Sequence, residues 1–199
     1  MIAPNARVVL LRHGETAWSR SGRHTSHTDL PLTEMGRARA RAVGPALGKL
    51  GLRDPLVIAS PLQRAVQTAE LAGLPAQRTW DDLVEWNYGD YEGLTTEEIH
   101  KTAPHWTVWT HPCPHGESAD AVQARADTVV QVAEAQLSDR DVVLFGHGHF
   151  SRALIARWID LPVREGRRFA MAAAAFTLLG FEHGAHQVVQ HNTTIGVQS

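Results

Sequence analysis

Apolar and polar residues switch between two spacings along this chain, and the switches divide it into units. Residues 8–11 (VVLL) form a continuous apolar run of strand length, followed at once by Arg12, His13, Gly14 and Glu15. Residues 17–31 are polar, contain Gly and Pro and show no period, which predicts a long excursion over the mouth of a site at the first strand's end. That excursion carries Arg20, Arg23, His24, Thr25 and His27 into reach of His13. From a cap at Thr33 an amphipathic pattern runs to about Leu50. Its apolar side is Met35, Ala38, Ala42, Val43, Ala46, Leu47 and Leu50, and Pro45 is expected to kink or interrupt it. A second apolar run, 56–59 (LVIA), leads into Ser60-Pro61-Leu62-Gln63, which reads as a helix start capped by Ser60 and puts Arg64 in the first turn.

The second half repeats the scheme. Residues 80–93 are aromatic and acidic, with turns at Gly89 and Gly93, and 95–101 reads as a short helix. Residues 105–114 alternate aromatic and polar groups between prolines, which suits either a substrate-facing lid or an aromatic packing loop. Gly116-Glu117-Ser118 opens a helix to about Leu137, with Val122, Ala126, Val129, Val130, Ala133 and Leu137 on its core side. The third core strand, 141–145 (DVVLF), ends in Gly146-His147-Gly148-His149 before a helix from Phe150 to about Asp160. Residues 169–180 read as a fourth strand, turning at 182–184 into 187–190 as a hairpin. Strands alternating with helices indicate an α/β fold, a three-layer α/β/α arrangement with a mostly parallel central sheet. The expected organisation is one domain over 1–199, with 86–115 as an insertion covering the substrate.

Composition narrows the class. The chain of 199 residues has 43% hydrophobic and 20% charged residues, enough for one substantial core. A net charge of -2 offers no broad basic field, so nucleic acid is not expected as a partner and a small anionic substrate is. No apolar run has the length of a leader or a membrane span, so a cytoplasmic protein without membrane attachment is expected. Cys113 is the single cysteine and is read as structural. The run at 176–181 is read either as an edge strand used for a homodimer or as a covered core strand. Twelve histidines and six tryptophans are the unusual entries, and they concentrate in loops.

Three strand ends carry reactive groups: Arg12 and His13, then Arg64, then His147. Parallel neighbours bring such ends to one edge of a sheet, where ligands bind. A phosphoryl group in transit spreads charge over three oxygens, which guanidinium forks match well. Arg12 and Arg64, assisted by a protonated His147, suit that clamp, and the neutral ring of His13 suits an attacking nitrogen. An alkoxide leaving group needs a proton, and Glu85, desolvated beside Trp86 and Tyr88, is the candidate donor. Glu15 is read as a neighbour that orients the pocket.

RHGE at 12–15, SPLQRAVQTA at 60–69, EWNYGDYEG at 85–93, GES at 116–118 and GHGH at 146–149 resemble the histidine phosphatase superfamily, with its phosphoglycerate-mutase-like fold. The likeness runs from about residue 7 to residue 160. It implies His13 as the phosphorylated nucleophile, Arg12, Arg64 and His147 as the phosphate pocket, Glu85 as proton donor, and Thr25 with Gly148 beside the phosphate. Ser19 stands where many members carry Asn and Ser26 where many carry Gly, so neither is assigned a role. Within the superfamily the chain looks most like small acid phosphatases and mutase-like proteins of actinobacterial type. The tract WTVWTHPCPHGES, taken with EWNYGDYEG, also resembles the branch acting on sedoheptulose bisphosphate. The expected activity is a metal-independent, cofactor-free phosphomonoesterase. A mutase must shield its phosphohistidine from water with a large closing segment, and here 85–118 is modest and the end, HNTTIGVQS, is short. A phosphoglycerate mutase, a metal site using His147 and His149, and a silent phospho-ligand binding module are the rival readings.

Overall fold

Val8, Val9, Leu10 and Leu11 are all buried because the strand they form is covered on both faces. In the computed structural model, which describes residues 5–196, this strand is β1 (Val8–Arg12). The ends of the expected domain and of the C-terminal tract, 1–4 and 197–199, lie outside the described residues. Val8 and Leu10 point to one apolar cluster, and Val9 and Leu11 point to the other. Each such side chain contributes about 1.5–3 kcal/mol on burial. The first cluster is closed by α5 (Ala119–Glu134) and α6 (Gly148–Trp158), and the second by α2 (Glu34–Gly48) and α3 (Gln63–Leu71). Two helical layers therefore enclose one sheet, as expected.

The sheet has six strands in the order β3-β2-β4-β1-β5-β6, with β2 (Leu56–Ala59), β3 (Arg78–Thr79), β4 (Val142–Gly146), β5 (Phe176–Glu182) and β6 (Ala185–Thr193). The first four in this order are mutually parallel, β5 is antiparallel to β1, and β6 is antiparallel to β5. Because β4 lies between β2 and β1, the carboxyl ends of all three are adjacent. Arg12 pairs with Gly146 and Ala59 with Phe145. His13 and Ser60 continue the ladder through N–H bonds to Gly146 O and Phe145 O, both at 2.9 Å. Their side chains are thus delivered at fixed height above the sheet.

Several local expectations are corrected. The buried side of α2 is Gly36, Ala40, Val43 and Leu47, rotated from the predicted stripe, and Met35 is exposed. Small residues face the sheet there; a Cβ on Gly36 would fall 2.2 Å from Glu15 O. Pro45 does not interrupt the helix, which continues through it to Gly48 on the solvent side. The strand expected over 169–180 starts only at Phe176. Before it, a 3-10 turn spans Val163–Arg168, and Ala174, at φ +56°, folds back so that its N–H reaches Arg12 O and His13 O. The hairpin turn at His183-Gly184 is present, with positive φ at both residues as a two-residue loop requires. The run at 176–181 is no edge: β5 lies between β1 and β6, and β6 is the edge strand. Short α1 (Ala17–Ser21) sits inside the predicted excursion, and α4 (Thr96–His100) matches the predicted short helix, with Thr95 and Glu98 as its capping box.

Candidate active site

His13 sits one residue beyond β1, only 5% exposed, with Nδ1 at 2.7 Å from Gly14 O. A carbonyl only accepts, so Nδ1 carries the proton and Nε2 keeps its lone pair. Burial first, then the guanidinium charges of Arg12 and Arg64, hold the His13 pKa well below the ordinary histidine value, with the Gly14 bond pulling weakly the other way. The ring is neutral with one nitrogen unbonded, the form a nucleophile needs.

The arginines are held mainly by main-chain oxygens. Arg12 Nη1 donates to Met171 O at 2.6 Å, while its buried Nε has no protein partner. Gly148, at the start of α6, lies flat on this guanidinium; a Cβ there would approach Arg12 Cζ to 3.2 Å. Arg64 is fully buried in the first turn of α3, as expected. It donates to Thr28 O at 2.8 Å, Ser26 O at 2.9 Å and Thr25 O at 3.4 Å, and its Nε meets His147 Nδ1 at 3.3 Å. The loop offering those carbonyls is clasped by Glu92, whose carboxylate accepts from Ser26 N, Ser26 Oγ and Thr28 N. Burial raises the Glu92 pKa, but the bonds from Ser26 and Thr28 outweigh it and leave it low.

His147 corrects one expectation. Burial and the neighbouring Arg64, His13 and Arg12 depress its pKa far below the ordinary value, so this ring is neutral rather than protonated. Nδ1 accepts from Arg64, and the proton on Nε2 goes to Ser60 Oγ at 2.8 Å. Ser60 is consequently not the helix cap the sequence suggested. Leu62 holds the N-cap position without a side-chain bond. The His13 and His147 rings meet edge to face at 5.2 Å.

These groups border a cleft of about 160 Å³. Of the expected residues, Arg12, His13, Thr25, Glu85 and Gly148 line it, whereas Arg64 and His147 stand directly behind its wall. The Glu85 carboxylate accepts three backbone N–H bonds, from Trp86 (2.9 Å), His149 (2.9 Å) and Phe150 (2.7 Å), the last two in the first turn of α6. Arg23 and His24 also line the cleft; Arg20 and His27 do not, and both are exposed. Glu15 accepts from Thr33 Oγ1 at 2.8 Å and so braces the start of α2 rather than the cleft. Within 86–115 only Tyr88 touches the cleft; Trp106 and Trp109 form an aromatic layer behind it, against His24 and His149.

Sequence reasoning missed Tyr88, His149, Arg152 and Met171 on the cleft wall. Tyr88 Oη and His149 Nδ1 are 2.6 Å apart. Burial pushes the tyrosine pKa up and the His149 pKa down, so a protonated phenol donates to a neutral ring. Helical spacing could have found Arg152, one turn beyond Gly148. No local signal marked Glu92 or Met171.

A model of the histidine phosphatase superfamily (branch 1) matches residues 8–194. The chain belongs to the histidine phosphatase superfamily. An acid phosphatase of Mycobacterium tuberculosis is 53% identical over 184 residues, covering 92% of this chain and 91% of that protein. Sedoheptulose 1,7-bisphosphatase of Saccharomyces cerevisiae is 33% identical over 189 residues, covering 80% and 69%. The solved structure of an open reading frame product of Mycobacterium tuberculosis superposes with a TM-score of 0.93 at 52% identity, covering 95% of this chain and 98% of that one. This superfamily member is a phosphatase, and its sheet with flanking helices is the phosphoglycerate-mutase-like fold. Among the described residues no helix is long and apolar enough to cross a membrane.

Proposed function

We propose that the chain is a metal-independent phosphomonoesterase of acid phosphatase type, acting on phosphosugars or similar small phosphate esters through a phosphohistidine at His13. The observation that carries this reading is the bond from His13 Nδ1–H to Gly14 O, which leaves a neutral ring with Nε2 free on the cleft wall. Nε2 attacks phosphorus, and the bond to the leaving oxygen breaks. Arg12, with Arg64 behind it, balances the charge on the phosphoryl oxygens, and the neutral ring of His147 fixes Arg64 in place. Thr25 and Gly148 shape the phosphate end. Glu85 delivers a proton to the departing alkoxide, then takes one from the water that attacks the phosphohistidine. The P–N bond breaks and phosphate leaves.

Replacing His13 with Ala is expected to abolish both turnover and the acid-labile, base-stable phosphate trapped on the protein with an aryl phosphate. Normal turnover by that variant refutes the nucleophile. The wild type assayed with phosphoglycerate, with and without its bisphosphate primer, separates hydrolysis from transfer. Phosphate release faster than isomerisation is expected, and the reverse order makes the chain a mutase.

A further inference from the structure

Arg152 is the one guanidinium on the cleft wall without a counter-ion that the chemistry above does not use. It lies one helical turn beyond Gly148 on α6, and residues at that spacing share a helix face roughly 6 Å apart. Gly148 rests on Arg12. The guanidinium of Arg152 therefore borders the cleft from the same helix face, about one turn away from the phosphate clamp.

Its posture is built. Nε donates to Gly166 O at 3.0 Å and Nη2 to Arg167 O at 3.2 Å, and the plane packs over the Trp109 ring at 4.6 Å. Nη1 makes no protein hydrogen bond among the described residues, and no carboxylate lies within ion-pair distance. Arg23, the other arginine near the mouth, differs, since it is paired with Glu98 at 3.1 Å and donates to Gly93 O. The only acidic group lining the cleft is Glu85, and its oxygens are taken by three amides. A fixed guanidinium with Nη1 unbonded and no carboxylate in direct contact, beside a neutral Tyr88–His149 pair, is a receptor for an anion.

We infer that Arg152 forms a second-anion subsite, so that the preferred substrates carry, besides the scissile phosphate, a carboxylate or a second phosphate on the leaving alcohol. The inference rests on the phosphomonoesterase reading, with the scissile phosphate at Arg12 and His13. It concerns the leaving group and leaves the chemical steps unchanged.

Matched pairs of esters test it. 3-Phosphoglycerate against glycerol 3-phosphate isolates a carboxylate, and fructose 1,6-bisphosphate against fructose 6-phosphate isolates a second phosphate. The wild type is expected to favour the member with a second anionic group in at least one pair by roughly tenfold or more in kcat/KM, as a charge-assisted contact provides. In Arg152→Met, which keeps a long side chain over Trp109, that ratio falls toward one. General damage to the site lowers both members equally and preserves the ratio. Which pair responds identifies the anion. A ratio near one for both pairs in the wild type, or a ratio that survives in Arg152→Met, overturns the subsite. Competitive binding of the same four esters to His13→Ala gives the same comparison without turnover. A failure of phosphohistidine chemistry therefore stays distinguishable from a failure of the subsite.

Discussion

Glu85 is bonded by three backbone N–H groups and by no side chain, so its place depends on the first turn of α6 and the residue that follows it. In Glu85→Gln the new NH2 faces an N–H donor, leaving a buried mismatch that costs about 1–3 kcal/mol of stability. The larger effect is on proton delivery. Turnover of alkyl phosphates is expected to drop about 10²–10⁴-fold, and that of aryl phosphates, whose leaving groups need less protonation, much less. Equal losses in a steady-state comparison reduce Glu85 to a shaping role. At this scale the reactive residues were readable in sequence because each comes soon after an apolar run: Arg12 and His13 directly after VVLL, Arg64 after LVIA and the SPLQ helix start, His147 after DVVLF and Gly146. Protonation and tautomer were not. The neutral His147 depends on Arg64 and Ser60, which lie 83 and 87 positions away and meet it only in the folded sheet.

The start of α6 serves two groups of the proposed reaction at once, giving amides to Glu85 and a bare Cα face to Arg12. Gly148→Ala separates these roles. Alanine is the better helix former by about 1 kcal/mol, yet its Cβ pushes on the Arg12 guanidinium from 3.2 Å. Thermal stability is expected to hold while kcat/KM for an aryl phosphate falls at least about tenfold, as a displaced phosphate clamp implies. Unchanged activity shows that Arg12 shifts without consequence. At the element scale, β1, β2, β4, α3 and α5 were legible from period and run length. The start of β5 was not, because the alanines at 172–175 suit a strand as well as a turn. The choice is made by hydrogen bonds to Arg12 and His13, more than 150 residues earlier in the chain. Two-residue β3 has no pattern to read, since Arg78 and Thr79 are both exposed.

In the whole molecule, the catalytic edge gathers buried rings that resist protonation. His13, His147 and His149 have pKa values well below 6.5, and burial lowers His24 to about 4. An unfolded chain takes up these protons first as pH drops through about 6.5, so stability is full above that value and declines below it, with each ring contributing up to about 1.4 kcal/mol per pH unit. Urea midpoints are expected to stay nearly level from pH 7.5 to about 6.5 and to fall from there to pH 5, and saturating phosphate to offset the fall by binding only the folded form. A flat profile contradicts neutral buried rings. The phosphate end of the cleft is tied largely through the main chain: His13 to Gly14 O, Arg12 to Met171 O, Arg64 to Thr25, Ser26 and Thr28 carbonyls, Glu85 to three amides. His24, Tyr88, His149 and Arg152, the groups proposed for the leaving-group end, contribute side chains to the cleft. A carbonyl survives most substitutions of the residue that bears it. Substitutions in the second set can therefore retune the substrate while the main-chain ties of the first stay in place.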